Sequence, residues 1–308
     1  MRRTITALCI AAGTLLATLA LAQTPPAAAA TPQPTARFHH VHLNTTDPAA
    51  AIDFYTTKFK ARKEKFAGLL DAVWTGDSWL LFSKVPTAPP SELLSAIWHI
   101  GWGAEDMKAT YQKQLDSGTK FATPITDITA MTGGTRPFFY AYVEGPDHAL
   151  IELNTAGHHN FGHVHMFSAD APAAGAWYAK HFGVRARPQT EKRVYNNAQI
   201  APASFVTADH VSMIIYPIEY IQGAAPDLWK DRKEFEPTRS RVIDHLGFSV
   251  DNLDATIDRL RKDGVTVISE PRTIANGQIK FAFIEGPDKV ALELLEDRSV
   301  RPAPITEQ

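Results

Sequence analysis

The chain repeats itself at three places. A shift of 123 positions lays HVHLNTTDPAAAIDFYTTKF (40–59) over HVHMFSADAPAAGAWYAKHF (163–182), with eight of twenty positions identical. A shift of 146 lays HIGWGAEDMKATYQKQLDSG (99–118) over HLGFSVDNLDATIDRLRKDG (245–264), and one of 141 lays EGPDHALIEL (144–153) over EGPDKVALEL (285–294). Unequal shifts mean insertions between matched pieces, so the chain is a duplicated domain and not a short-period solenoid.

Each half divides again. In the first unit, Phe38 to Thr45 alternates as a strand, Pro48 to Phe59 reads as a helix, and strands follow near Ala72–Thr75 and Trp79–Lys84. In the second, Trp98–Gly103 reads as a strand and Met107–Ser117 as a helix ended by Gly118. Phe138–Val143 and Ala149–Asn154 then form a hairpin turned at Gly145-Pro146-Asp147. The third and fourth units begin at His163 and His245. The expected fold is α+β, four βαβββ units paired into two domains, 37–157 and 158–297.

Alternate residues of a strand point to opposite faces. His40, His42 and Asn44 therefore oppose Val41 and Leu43; His99 and Gly101 oppose Ile100 and Trp102; Leu150, Glu152 and Asn154 oppose Ile151 and Leu153. With the apolar set packed under the helices, the His and Glu set lines the open concave side. Two triads result, His40, His99, Glu152 in the first half and His163, His245, Glu293 in the second. Two imidazoles and one carboxylate hold a divalent metal with open coordination positions. Fe(II) is favoured, and Mn(II), Zn(II) or Ni(II) suits the same donors.

Residues 1–22 carry Arg2-Arg3, an apolar run from Ile5 and an Ala20-Leu21-Ala22 ending, the pattern of a cleaved secretory signal and hence of a periplasmic or secreted protein. An uncleaved anchor is the competing reading, but the run is marginal in length for a spanning helix, so no stable membrane insertion is expected. The one cysteine, Cys9, lies in this leader, which leaves the rest without thiol ligands or disulfides. Residues 23–36, rich in Pro and Ala, read as a linker, and 298–308 as a tail of similar, poorly ordered character. A formal charge of −2 without a basic run gives no support for a nucleic-acid partner. The expected partner is a small-molecule substrate; oligomeric state is not legible.

These residues resemble the vicinal oxygen chelate superfamily of glyoxalase I, methylmalonyl-CoA epimerase, extradiol ring-cleaving dioxygenases and bleomycin-resistance proteins, over nearly all of 37–296. The resemblance rests on the His opening each unit, on Tyr55 and Tyr178 fifteen positions after His40 and His163, and on the Gly-Pro-Asp turn before Glu152 and Glu293. It implies paired βαβββ domains and a metal that chelates neighbouring substrate oxygens. Glyoxalase I-like sites use a fourth ligand on the last strand of the first unit, where this chain has Leu81, and Ile214 in the third unit. A three-ligand, dioxygenase-like site is therefore favoured. Tyr142, ten positions before Glu152, matches an active-site Tyr of the ring-cleaving dioxygenases, and Phe283 stands in the second half. Their catalytic His has no counterpart in 120–141, which leaves His42 to supply acid–base function.

The resulting expectation is an exported, metal-dependent oxidoreductase acting on a small oxygen-chelating molecule, with Tyr142 and His42 catalytic. A lyase or isomerase of the glyoxalase or epimerase type and a non-catalytic binding protein are the alternatives. His39, His158 and His159 read as surface or loop residues, Asp147 and Asp288 as turn residues, and the charged run Lys230–Glu236 as part of a solvated connector, 217–242, or a lid over the second site.

Overall fold

A computed structural model describes residues 36–306; the leader and, except for Ala36, the linker lie outside them. Four units follow one another. The first holds β1 (Arg37–Thr45), α1 (Pro48–Lys58), β2 (Arg62–Phe66), β3 (Leu70–Thr75) and β4 (Ser78–Lys84); the second holds β5 (Ile97–Ala104), α2 (Met107–Asp116), β6 (Phe121–Asp127), β7 (Phe139–Glu144) and β8 (Leu150–Thr155). The third holds β9 (Phe161–Ser168), α3 (Ala171–Phe182), β10 (Arg185–Tyr195), β11 (Ala198–Ala208) and β12 (Val211–Pro217). After α4 (Ile218–Ala224) and α5 (Pro226–Trp229), the fourth holds β13 (Ile243–Ser249), α6 (Leu253–Lys262), β14 (Val267–Ile274), β15 (Ile279–Glu285) and β16 (Ala291–Asp297). Helices start where Asp47, Asp106, Asp170 and Asn252 accept hydrogen bonds from first-turn amides.

The units do not pair in sequence order. Sheet I runs β14-β15-β16-β13-β1-β4-β3-β2 and sheet II runs β10-β11-β12-β9-β5-β8-β7-β6. The first unit thus joins the fourth through antiparallel β1 and β13, and the second joins the third through β5 and β9. Units on either side of 157/158 thus share each sheet, so the sheets are interlaced. The repeat makes every opening strand an equally good partner for the others, so strand patterning alone does not choose between the two pairings.

Facing follows the alternation. Val41, Leu43, Ile100, Trp102, Ile151, Leu153 and their counterparts Val164, Met166, Leu246 and Leu292 share one core cluster with helix residues such as Tyr55 and Tyr178. The two Gly-Pro-Asp turns clamp neighbouring units: Asp147 accepts from Thr46 N (3.1 Å), and Asp288 from Ala169 N (3.1 Å), with both Asp residues at left-handed φ of 50° and 57°. Their role is structural, as read from sequence.

Two segments are better packed than their composition implies. The tail crosses sheet I, where Ile305 N donates to Gly76 O (2.8 Å) and Trp74 Nε1 to Ala303 O (2.9 Å). A buried indole N–H needs an acceptor, and the Pro-containing tail supplies one. The connector buries Ile218, Ile221, Trp229 and Phe235, and Trp229 Nε1 donates to Leu93 O (3.0 Å). Among the described residues no helix is long and apolar enough to cross a membrane.

Candidate metal centres

Interlacing regroups the ligands. His40 and His99 stand on different sheets, so neither triad forms as drawn from sequence. The residues recombine into two clusters, each from two units. His40, His42 and His245 converge with Glu293 on sheet I; His99, Glu152, His163 and His165 converge on sheet II, with one ligand atom from each of these last four within 4.8 Å of the others. Every expected ligand is in a cluster, beside a fourth residue, His42 or its counterpart His165. The slots at Leu81 and Ile214 are apolar as read, and each pairs across the ladder with one of these histidines. The fourth donor comes from the neighbouring strand instead.

Register and small residues make the room. Gly101 pairs with His163 and Gly247 with His40, and a Cβ at either glycine would enter the imidazole, at 1.9 Å and 2.0 Å respectively. The His-x-Gly motif that opens the second and fourth units therefore holds one ligand and leaves space for another. That signal is readable in the sequence as the shared Gly of HIG and HLG.

On sheet I the imidazoles are tied to each other and to acids. His245 Nδ1 bonds Asp244 Oδ1 (2.6 Å) and its Nε2 bonds Glu293 Oε2 (3.0 Å). His40 Nδ1 lies 2.8 Å from His39 Nδ1, whose Nε2 bonds Asp297 Oδ2 (3.0 Å), while His42 Nε2 bonds Ser83 Oγ (2.8 Å). His39 is fully buried, which corrects its reading as a surface residue. An irregularity in the β1–β13 ladder between Phe38 and His40 breaks strict alternation at His39 and brings its ring against His40. Burial would push the His245 imidazole down, but its bonds to Asp244 and Glu293 outweigh this and raise it.

On sheet II the nitrogens are unpaired. His99 Nδ1 and Nε2, His163 Nε2 and His165 Nδ1 are buried with no hydrogen-bond partner. His99 Nε2 is 3.0 Å from Glu152 Oε2, yet the two are not aligned for a hydrogen bond. Burial holds His99 and His165 well below their ordinary value and His163 down to about 4, so all three are neutral and offer lone pairs near pH 7. Neutral imidazole lone pairs without hydrogen-bond partners, converging with a carboxylate, are what a divalent ion requires. Asn154 Nδ2 donates to Glu152 Oε1 (2.8 Å) and orients the carboxylate.

Access differs too. A cavity of about 900 Å³ opens onto Glu152 and His165 and is lined by Trp98, Tyr140, Tyr142, Tyr195, Tyr216 and Tyr220. On sheet I the His-bearing face carries a second apolar cluster of Phe66, Trp74, Trp79, Leu81, Ile279 and Leu295, with Ile305 of the tail against it. The connector contributes Tyr220 to the sheet II cavity, and its far end reaches the sheet I centre, where Arg239 lies 4.6 Å over the Phe283 ring. Tyr142 pairs with Glu152 across β7–β8, with its ring 5.0 Å from that of His99; Phe283 stands 4.8 Å from His245 in the other centre. The two residues read as catalytic are thus separated: His42 belongs to sheet I, and the histidine beside Tyr142 is His165. His158 and His159 lie in the loop between β8 and β9, as read.

Known proteins share this architecture. Glyoxalase I from Zea mays superposes with a TM-score of 0.63 at 12% identity, covering 85% of this chain and 92% of that one, a likeness of fold. Lactoylglutathione lyase of Escherichia coli O157:H7 is 33% identical over 54 residues, 18% of this chain and 40% of the relative. A probable lactoylglutathione lyase of Vibrio cholerae serotype O1 is 27% identical over 77 residues, 25% of this chain and 56% of the relative. The chain thus spans about half or less of the length of these relatives. The profile of the Glyoxalase/Bleomycin resistance protein/Dioxygenase superfamily matches residues 37–153 and 160–294. Two interlaced sheets with a His and Glu cluster on each, and a match over most of the sequence, place the chain in the glyoxalase/bleomycin resistance protein/dioxygenase superfamily.

Proposed function

We propose that the chain is a metal-dependent enzyme whose working centre is the sheet II cluster, and that it opens a small molecule bearing two neighbouring oxygens by oxidative cleavage. The observation that carries the reading is the set of unpaired nitrogens on His99, His163 and His165 converging with Glu152 beside a 900 Å³ aromatic cavity. His99, His163 and Glu152 would hold the ion, with His165 as fourth donor or as a base displaced by substrate. The ion supplies Lewis acidity and, as Fe(II), a binding position for oxygen. Mn(II), Zn(II) and Ni(II) fit the same donors.

The protein's own contribution is orientation and proton control. Burial, together with the nearby Glu152, raises the Tyr142 phenol well above its ordinary value, so it is a hydrogen-bond donor and not a base at neutral pH. A neutral donor at that position steers one substrate oxygen toward the ligand cluster. Trp98, stacked 4.9 Å from Phe167, and Tyr216 and Tyr220, stacked 5.6 Å apart, give flat walls suited to an unsaturated or aromatic ring.

Isomerisation or lyase chemistry is the second reading, favoured by the four-donor count and by the partial matches to lactoylglutathione lyases. The test is to load the chain with Fe(II), Mn(II), Zn(II) or Ni(II), verify the bound metal, and follow oxygen uptake with catechols beside hemithioacetal conversion. Oxygen uptake that requires Fe(II) supports the first reading. Conversion of hemithioacetal without oxygen supports the second. Absence of bound metal with every ion would overturn both.

A further inference from the structure

The floor of the sheet II cavity is a single row of paired residues. His165 pairs with Ile214, Ile214 with Phe205, and Phe205 with Arg187, running across β9, β12, β11 and β10. All four line the cavity. Three interstrand spacings put the ends of the row about 14 Å apart between backbones, and both end side chains reach inward over the floor. A ligand lying on it meets metal donors at one end, the apolar Ile214 and Phe205 in the middle, and a guanidinium at the other.

We propose that Arg187 is a specificity-determining residue that receives an anionic group of the substrate, so that the substrate class is a flat, ring-bearing acid with its vicinal oxygens at the opposite end from its carboxylate or equivalent anion. The substrate's oxygen-bearing end rests on the functional reading given above; the anion end rests on the row alone. Arg187 sits 5.1 Å over the Phe205 ring and, among the described residues, has no carboxylate partner. The acids lining the cavity are committed elsewhere: Glu152 is in the ligand cluster, and Asp127 accepts from Thr129 N (2.8 Å). The other lining arginine, Arg193, spends one nitrogen on the Met131 carbonyl (2.6 Å), which ties the β10–β11 hairpin to the loop after β6. The planar fork of Arg187 is thus the charged donor left at the far end, and a guanidinium fork is the best match for a carboxylate. The alternative role is cover for Phe205, in which the aliphatic stem matters and the charge does not.

Those roles separate in a binding experiment. The probes are 3,4-dihydroxyphenylacetate and its methyl ester, titrated calorimetrically against the full chain, both metal-free and loaded with Zn(II). Arg187→Met keeps the apolar cover and removes the charge; Arg187→Lys keeps the charge and loses the fork. The acid should bind the unaltered chain about tenfold or more tighter than the ester, Arg187→Met should erase that preference while leaving the ester unchanged, and Arg187→Lys should fall between. Equal binding of acid and ester, equal weakening of both by Arg187→Met, or binding of neither probe would each overturn the assignment. Failure of Zn(II), Fe(II), Mn(II) and Ni(II) alike to load would remove the functional reading, while the acid and ester comparison on metal-free chain would still decide Arg187.

Discussion

Gly101 lies opposite His163 in the β5–β9 ladder, and a Cβ on it would stand 1.9 Å from the imidazole Cε1. That makes a backbone hydrogen the condition for a ligand's position. Gly101→Ala should displace His163 and lower metal affinity of the sheet II centre by more than tenfold, with an overpacking cost of about 1–3 kcal/mol. Gly247→Ala should do the same to His40 and spare sheet II. Metal stoichiometry and thermal unfolding of both variants check this, and a Gly101→Ala chain with full metal content would refute it.

Tyr142 faces Glu152 and His99, whereas the other centre has Phe283. Phe can pack there but cannot donate a proton. Tyr142→Phe should therefore lower turnover by about tenfold or more while metal content stays constant. Unchanged turnover in a metal-loaded variant would remove Tyr142 from the reaction.

Acid should unfold the metal-free protein early. Burial pushes His40 and His163 down to about 4 and His42 to about 3, from an ordinary value of 6.5. Between those values the unfolded chain binds protons that the folded one refuses. Stability is then full above about pH 6.5 and falls toward pH 4, by at most about 1.4 kcal/mol per pH unit for each group. His245 acts oppositely, since its raised value adds stability as pH falls, but it is one group against several. Urea midpoints in chelator at pH 7.5, 6.0 and 5.0 should decline in that order; a constant midpoint would contradict the assignment.

The tail supplies Ala303 O to Trp74 and Ile305 to the sheet I apolar cluster. Removing residues 300–308 strips the acceptor from a buried indole, at a cost of about 1–3 kcal/mol. Chemical denaturation should register that loss, and a truncated chain of undiminished stability would show the contact to be incidental.

Much of this was readable beforehand, and the exceptions share a cause. The faces of β1, β5 and β8 follow from period-two alternation, and each expected ligand sits in a cluster because its facing was right. What alternation does not carry is which strand edge meets which. Four units opening on alike strands permit two pairings, and the choice between them decides that His40 meets His245 and not His99. His39, read as an incidental surface histidine, is instead buried, with a ladder irregularity beside it and its ring against His40. The strand Arg62–Phe66, with four charged residues in five, lacks the apolar alternation that marks the others and forms a sheet edge.

The two centres should contribute unequally to catalysis. Both gather three histidines and a glutamate, but only the sheet II cluster is seen to open on the aromatic cavity and to have Tyr142 beside it. On sheet I, Trp79 and Leu81 occupy the His-bearing face, and the imidazoles are already bonded to Asp244, His39 and Ser83. His99→Ala should therefore abolish turnover and remove one metal equivalent, with circular dichroism largely unchanged because the His-bearing face is not the apolar layer under the helices. His245→Ala strips Glu293 of one of its two histidine partners, leaving His40 Nε2 at 3.5 Å, and should lower stability. Below its lowered unfolding temperature, however, it should keep most of the turnover per loaded sheet II centre. A His245→Ala chain that is folded, carries metal on sheet II and is inactive would show that the active centre has been placed on the wrong sheet.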